Sequence, residues 1–557
     1  MTMLAATHQV FNQSRPFEGV NLFDANRPLR DALALYAPGL DTSRLQALGA
    51  EAGSADMQAH ARLANTHPPV LHTHDRTGQR IDEVEFHPSY HALMSRALHH
   101  GLHGTPWTGE PLSHVERAAG FMLFTEAEPS VLCPVSMSYA VTPALRANPA
   151  LHAAWRPKLA ATAYDPRFAP MPHKSAVTLG MGMTEKQGGS DVRANTTRAE
   201  HDGRDEWGDR YRLTGHKWFF SAPMCDAFLV LAQTAAGLSC FFLPRWLPDG
   251  HLNNIHIQRL KHKLGNHANA SSEVEFQGAI AWRVGEEGRG VAQILAMGAL
   301  TRLDCALGTA GLMRQALSLA LHHCAQRQAF GKRLIDQPLM KNVLADLALE
   351  SEAATALALR LAVAVDRTEH GTDPHEQVMR RLLTPIAKFW ICKRGSVFAQ
   401  EAMECLGGNG YVEADGQGVM ARIYREMPLN SIWEGAANIM ALDLLRAVRG
   451  QDGGADVAAA LNRELAPSRG AHAALDRTAA AVLQQIEQAD TAEPQARRLA
   501  RDVALLLQAA LLHRQAPAAV FSAFCDSRLH AAADVFGLLG AGHDLDTIIQ
   551  RAMPWTA

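Results

Sequence analysis

Cysteine is scarce and unpatterned. Eight residues, at 133, 225, 240, 305, 324, 392, 405 and 525, are spread over 557 with no Cys-x-x-Cys among them. That leaves no zinc ribbon or thioredoxin-type motif, and the reading is of reduced, buried thiols in a cytoplasmic protein. A one-signed charge is also missing. The net charge is -3, so no global attraction draws the chain to nucleic acid or an anionic membrane, and such a partner needs a local patch. No run of about 20 uncharged apolar residues occurs. The nearest candidate, Val291 to Met313, carries Arg302 and Asp304 and reads as a core helix. Met1 to Phe11 has no basic segment leading into an apolar run, so no signal peptide and no membrane partner are expected. His99, His100 and His103 have ligand-like spacing but no acidic or cysteine partner nearby, which favours solvated helix histidines over a metal site. Nor does any Gly-x-Gly-x-x-Gly follow a strand and open a helix, as a Rossmann site requires.

What is present divides the chain in four, and the fold class is α+β, mainly α. Residues 1–175 mix helical patterns with proline breaks such as Pro68-Pro69 and Pro129. Residues 176–285 change period. Ala227 to Ala232 and Leu238 to Leu243 are short apolar runs, while Tyr211 to Thr214 and Ser272 to Phe276 alternate, predicting a β domain. Residues 286–446 are helical, with a broad apolar stripe at Leu312, Met313, Ala316, Leu317, Ala320 and Leu321 that predicts an antiparallel bundle. Pro338 and Pro385 mark helix starts there, and Gly407 to Gly410 ends one. Residues 447–557 form the last unit: after the linker Gly450 to Ala455, residues 456–557 are alanine- and leucine-rich, helical and without lysine.

Two segments carry the chemistry. Met181-Gly-Met-Thr-Glu-Lys-Gln-Gly-Gly-Ser-Asp191 is a glycine-rich polar loop leaving an apolar strand, able to offer amides and hydroxyls to phosphates or to the edge of a polar ring. Asn430-Ser-Ile-Trp-Glu-Gly435 places one carboxylate, Glu434, between a tryptophan and a glycine, as a general base or as a helix N-terminal carboxylate. Between them, His216-Lys-Trp-Phe-Phe-Ser-Ala-Pro223 could wall a planar ring, or simply end a strand. Arg327-Gln-Ala-Phe-Gly331 could anchor a pyrophosphate, and Gly407-Gly-Asn-Gly-Tyr411 allows close backbone approach.

In this order the five motifs resemble the acyl-CoA dehydrogenase flavoprotein family from about residue 115 to 446. The long N-terminal region and the extra C-terminal unit are similar to its alkylation-response, AidB-like branch across the whole chain. The resemblance implies a helical domain, a β domain and a four-helix domain holding FAD, an added C-terminal helical domain, and a homotetramer whose neighbouring subunit completes each flavin site. It implies that Met183, Thr184, Glu185, Lys186, Gln187, Gly188, Gly189, Ser190, Asp191 and Val192 line the flavin. Phe219 would occupy the stacking position, and Ser221, with Ala222 and Pro223, would stand near the ring's reactive nitrogen. Arg327, Phe330, Gly407, Gly408, Asn409 and Gly410 would reach a neighbour's FAD. Ile432, Trp433, Gly435, Ala436, Ala437, Asn438, Ile439, Met440, Ala441 and Leu442 would close over the ring, with Glu434 as base and Arg302 nearby. Trp433 stands where many relatives carry tyrosine and Ala436 where they carry threonine. The bulkier ring narrows the acyl pocket and argues against long chains.

AidB-like proteins are expected to bind double-stranded DNA non-specifically through the C-terminal domain. From Arg446 to Ala557 there are 11 arginines against 12 acidic residues, which neither provides nor excludes a phosphate-binding face. The candidates are Arg446, Arg449, Arg497, Arg498, Arg501, Arg514 and Arg528. No helix-turn-helix or zinc signature suits base reading. The leading expectation is therefore an FAD protein that protects DNA or inactivates alkylating agents, with weak dehydrogenation of a short branched acyl-CoA such as isovaleryl-CoA. The alternatives are an ordinary short- or branched-chain acyl-CoA dehydrogenase of catabolism and a helical scaffold that has lost its cofactor.

Overall fold

The period change at residue 176 does become a sheet, and the helical stripes become long helices. The computed structural model describes residues 7–414, 418–450, 454–487, 493–530 and 534–555. They form two units, Ala59–Asp304 in one and Met1–Gln58 with Cys305–Ala557 in the other.

The 59–304 unit contains a hairpin that the helical reading of residues 1–175 missed, β1 (Val70–His74) and β2 (Arg80–Glu85). Its turn chemistry was readable. Asp75 Oδ1 accepts from the N–H of Thr77 at 2.8 Å and of Gln79 at 2.9 Å, and Gly78 takes φ 85°. Helices Pro88–His99, Ser113–Ala127, Leu132–Leu145 and Pro149–Leu159 follow. His103, expected in solvent, is fully buried and bonded to the Ala161 carbonyl at 2.8 Å; burial pushes its imidazole down to about 4.

The sheet holds β3 (Leu179–Gly182), β4 (Arg198–Asp205), β5 (Gly208–Ser221), β6 (Ala227–Thr234), β7 (Gly237–Pro244), β8 (Ile255–Leu260) and β9 (Ser271–Val284). Antiparallel pairs run β4–β5–β9–β7–β6, and a parallel bridge between Arg198 and Gln233 returns β6 to β4, so the sheet closes on itself. β3 extends it in parallel beside β6, and β8 pairs with β9. Closure removes most exposed edges, which is why β6 and β7 can be continuously apolar.

In the other unit, helices Pro338–His370 and Pro374–Glu404 pack together, with Val419–Ile432 and Ala437–Val448 against the second of them. Helix Gly290–Gln326 is long and apolar enough to cross a membrane by length and composition, yet most of that stretch is buried inside the protein. Pro338 does start a helix, but Pro385 does not. It lies inside Pro374–Glu404, whose first turn is capped by Asp373 accepting from His375 N at 2.9 Å. The helix carries Pro385 within its length while packed against several neighbouring helices. The lysine-free C-terminal segment supplies helices Gly454–Leu465, Ala473–Glu487, Ala496–Gln515, Ala518–Cys525 and Leu545–Ala552. Buried ion pairs tie this segment to the long helices. Arg360 donates to Glu376 at 2.9 Å and to Glu464 at 2.9 Å.

Candidate active site

The glycine-rich loop begins where β3 leaves the sheet. A Cβ at Gly182 would meet the Phe220 ring at 2.6 Å, so only glycine lets β3 lie this close to β5. Beyond it Lys186 to Asp191 are exposed, and the N–H groups of Gly189 and Ser190 donate to no other described group. Gly188 has φ 141°, with open space where a Cβ would stand. This is an outward cradle of backbone donors. One residue expected on the cofactor has its carboxylate turned away from it. Glu185 points inward and is fully buried, accepting from Lys217 Nζ at 2.7 Å, Thr197 Oγ1 at 2.6 Å and Thr196 N at 2.7 Å. The Asp191 carboxylate is engaged by its own turn, from Arg193 Nε at 2.8 Å. The Met183 carbonyl accepts from Asn195 Nδ2 at 2.9 Å.

Glu185 is thus the hub beneath the loop. Burial pushes its carboxyl up, but the Lys217 ammonium and the hydroxyl and amide donors outweigh burial and hold it down at about 2, against its ordinary 4.5. Because the folded value is the lower one, its stabilisation is complete above the unfolded value and disappears as pH falls toward about 2. Acid titration followed by Trp fluorescence is expected to show this loss between those limits, and Glu185→Gln is expected to remove it. An unchanged acid limb in the variant would refute the assignment.

β5 ends beside that loop. The Trp218 N–H donates to the Thr184 carbonyl at 2.8 Å, and Lys186 N–H donates to His216 Nε2 at 3.1 Å. Phe219 is 55% exposed, unusual for a ring on a strand, while Ser221 is half-buried with its Oγ 3.5 Å from that of Ser271. Ala222 follows at φ 50° and Pro223 is buried. The motif gives no sign of one further feature. Trp218 is flanked by cations, with Lys261 Nζ 3.3 Å from its ring centroid and Arg259 Cζ at 5.7 Å. Arg302, half-buried on helix Gly290–Gln326, belongs to this same unit.

The other unit carries the remaining motifs. Phe330 sits at φ 51° between the strand pair Gln328–Ala329 and Lys332–Arg333, 98% exposed. Arg327 donates to the Asn12 carbonyl at 2.5 Å, so part of its guanidinium is already used. At Gly407 (φ 59°) and Gly408 a Cβ would meet nothing within 4 Å, whereas at Gly410 it would lie 2.4 Å from the Met403 carbonyl. Gly407 and Gly408, with exposed Asn409, therefore offer approach to a ligand; Gly410 is a packing residue. Glu434 lies at φ 60° in the turn joining helices Val419–Ile432 and Ala437–Val448, with Gly435 at φ 102°. Trp433 Nε1 donates to Asn430 Oδ1 at 3.1 Å, and Ile432 is exposed. Ala436 and Asn438 are exposed, and Ala437, Ile439 and Leu442 half-buried. Met440 and Ala441, expected to cover the ring, are core residues of the bundle.

Three non-glycine residues with positive φ (Ala222, Phe330 and Glu434) thus fall in three of the five motifs. Such backbone is costly and tends to persist where function needs it. Within the 59–304 unit, the open position at Gly188, the unused loop amides and the exposed Phe219 ring fit a large planar cofactor.

The arginines divide sharply. Arg446 and Arg449, at the end of helix Ala437–Val448, and Arg497 and Arg498, at the start of Ala496–Gln515, are exposed, and these two helices pack together. Arg501 is half-buried and pairs with Asp502 at 2.7 Å. Arg514 pairs with Glu464 at 3.3 Å. Arg528 is withdrawn from the phosphate-binding set. Its side chain is only 9% exposed, and its guanidinium donates to Asp346 at 2.5 Å and Glu350 at 3.1 Å. Carboxylates on a helix some 180 residues earlier in the chain claim it.

Comparison with known proteins gives the family. Residues 12–166 match the family described as adaptive response protein AidB N-terminal domain, 180–279 the acyl-CoA dehydrogenase middle domain, and 288–449 the acyl-CoA dehydrogenase C-terminal domain. The chain is 47% identical to AidB of Escherichia coli over 94% of each sequence. It is 32% identical to acyl-CoA dehydrogenase family member 11 of Caenorhabditis elegans over 72% of this chain and 65% of that one. The solved structure of Caenorhabditis elegans ACDH-11 in complex with C11-CoA superimposes with a TM-score of 0.84 at 27% identity, covering 94% of each chain. The chain belongs to the acyl-CoA dehydrogenase family of FAD-dependent oxidoreductases, in its AidB branch.

Proposed function

We propose that this protein holds FAD, dehydrogenates a short branched acyl-CoA weakly, and binds double-stranded DNA non-specifically in the response to alkylation, protecting the DNA or inactivating the alkylating agent. The Gly189 and Ser190 amides, Phe219 and Ser221 would hold the flavin, and Arg327, Gly407 and Gly408 the phosphates of a neighbour's cofactor in a homotetramer. Bound FAD supplies a two-electron acceptor for hydride. Glu434 would take the proton from the carbon alpha to the thioester carbonyl, a transfer that gains when water is excluded around the carboxylate.

The observation that carries the DNA reading is the placement of the exposed arginines. Arg497 reaches Asn438 Oδ1 at 3.4 Å, so the cluster begins four residues past Glu434, beside the turn that holds the base. A phosphate backbone lying on Arg446, Arg449, Arg497 and Arg498 would need no base readout, in keeping with the lack of a recognition helix motif.

The test is titration of a duplex into the FAD-loaded protein at two salt concentrations. Binding is expected to weaken steeply with salt, and Arg497→Ala with Arg498→Ala to lower the slope of log K against log salt by about 2. Binding with no salt dependence, or none at all, sinks the DNA reading. The second reading, an ordinary catabolic dehydrogenase, draws on the well-built turn around Glu434. Rapid bleaching of the flavin by isovaleryl-CoA, without duplex binding, would establish it.

A further inference from the structure

Lys388 is a buried lysine with no carboxylate partner among the described residues. It lies within helix Pro374–Glu404, in the apolar run Pro385-Ile-Ala-Lys-Phe-Trp-Ile-Cys392, and is 1% exposed. Its Nζ donates to the Gly435 carbonyl at 2.5 Å, and no carboxylate among the described residues lies within ion-pair distance. An ammonium has three donors, and burying one with a single partner is costly, where the apolar side chain of a methionine would bear no such cost. The fold keeps a lysine here nonetheless.

The location supplies a reason. Helix Pro374–Glu404 packs against both Val419–Ile432 and Ala437–Val448, so Lys388 meets the turn joining them. In that turn Glu434 and Gly435 are both left-handed, at φ 60° and φ 102°. Glycine adopts this freely; a glutamate does so only against a steric cost. The carbonyl of Gly435 is the first one past Glu434, and fixing it opposes rotation of this stretch back to an ordinary conformation. A cation is also favoured there by the carbonyl end of helix Val419–Ile432. Further contacts limit the turn, with Trp433 Nε1 bonded to Asn430 Oδ1 and a Cβ at Gly435 excluded 2.8 Å from Met440 Cε.

We propose that Lys388 is a positioning residue for Glu434, spending buried charge to hold the base-bearing turn in its left-handed form. This rests on the reading of Glu434 as the base. The decisive variant is Lys388→Met in the full, FAD-loaded chain, beside wild type and Glu434→Gln. Its thermal midpoint is expected to equal or exceed that of wild type, since an apolar chain replaces an unpaired charge. Amide hydrogen exchange at residues 432–436 is expected to quicken about tenfold as the turn opens locally. Flavin reduction by isovaleryl-CoA is expected to fall about 100-fold in kcat with KM unchanged, because a misplaced base fails only in the chemical step.

A turn as protected as in wild type overturns the proposal, and leaves the base reading intact if wild type is still reduced. A rate lost only in step with global stability also overturns it, making Lys388 a fold residue. If exchange quickens but wild type itself is not reduced by isovaleryl-CoA, the anchoring of the turn is supported and the base reading alone fails.

Discussion

FAD-loaded Glu434→Gln is expected to be reduced by isovaleryl-CoA about 10²–10⁴-fold more slowly than wild type, the usual contribution of a general base. Glutamine has the same shape and the same backbone requirement at φ 60°, so the turn should keep its form and the flavin its occupancy. Only the proton acceptor is removed. Stopped-flow absorbance of the flavin band reads the rate, and the flavin-to-protein ratio shows whether the cofactor is retained. Equal rates in wild type and variant would remove Glu434 from the mechanism.

The second large effect concerns stability. Arg528→Ala is expected to cost about 3–5 kcal/mol, as breaking a buried ion pair usually does. It leaves Asp346, which is 1% exposed, with the Gly537 N–H at 2.8 Å but without its cation, while Glu350 keeps Arg394 at 3.0 Å. Arg498→Ala, at an exposed position, is expected to stay within about 0.5 kcal/mol of wild type. Thermal or urea unfolding separates the two, and duplex titration reverses their order. The folded fraction of Arg528→Ala should bind DNA normally, whereas Arg498→Ala should bind more weakly. An Arg528→Ala protein of full stability and poor DNA affinity would restore Arg528 to the phosphate-binding face.

Much of the architecture was legible along the chain. Ala227 to Ala232 and Leu238 to Leu243 announced β6 and β7 because a closed sheet buries both faces of those strands. The hairpin β1–β2 was missed although Asp75 and Gly78 carry ordinary turn chemistry, because it is short and set among helices. Pro385 was read as a helix start because proline is at home there, but tertiary packing outweighed the local preference. In the candidate site, the motifs marked where backbone would be unusual. They could not mark which polar side chains face inward. Glu185 and Lys388 look like any charged residues of a loop and a helix until the buried surroundings are known.

The sequence by itself determined the membership of the family, the α+β order of the elements and the five motifs, because these are written in local periodicity and in residue order. The tertiary structure alone decided the use of each charge. Glu185 became a hub under its loop, Arg528 a partner of Asp346, and Lys388 an anchor for the peptide past Glu434. The physical reason is the cost of burying charge, which makes the role of an ionisable side chain depend on partners tens to hundreds of residues away.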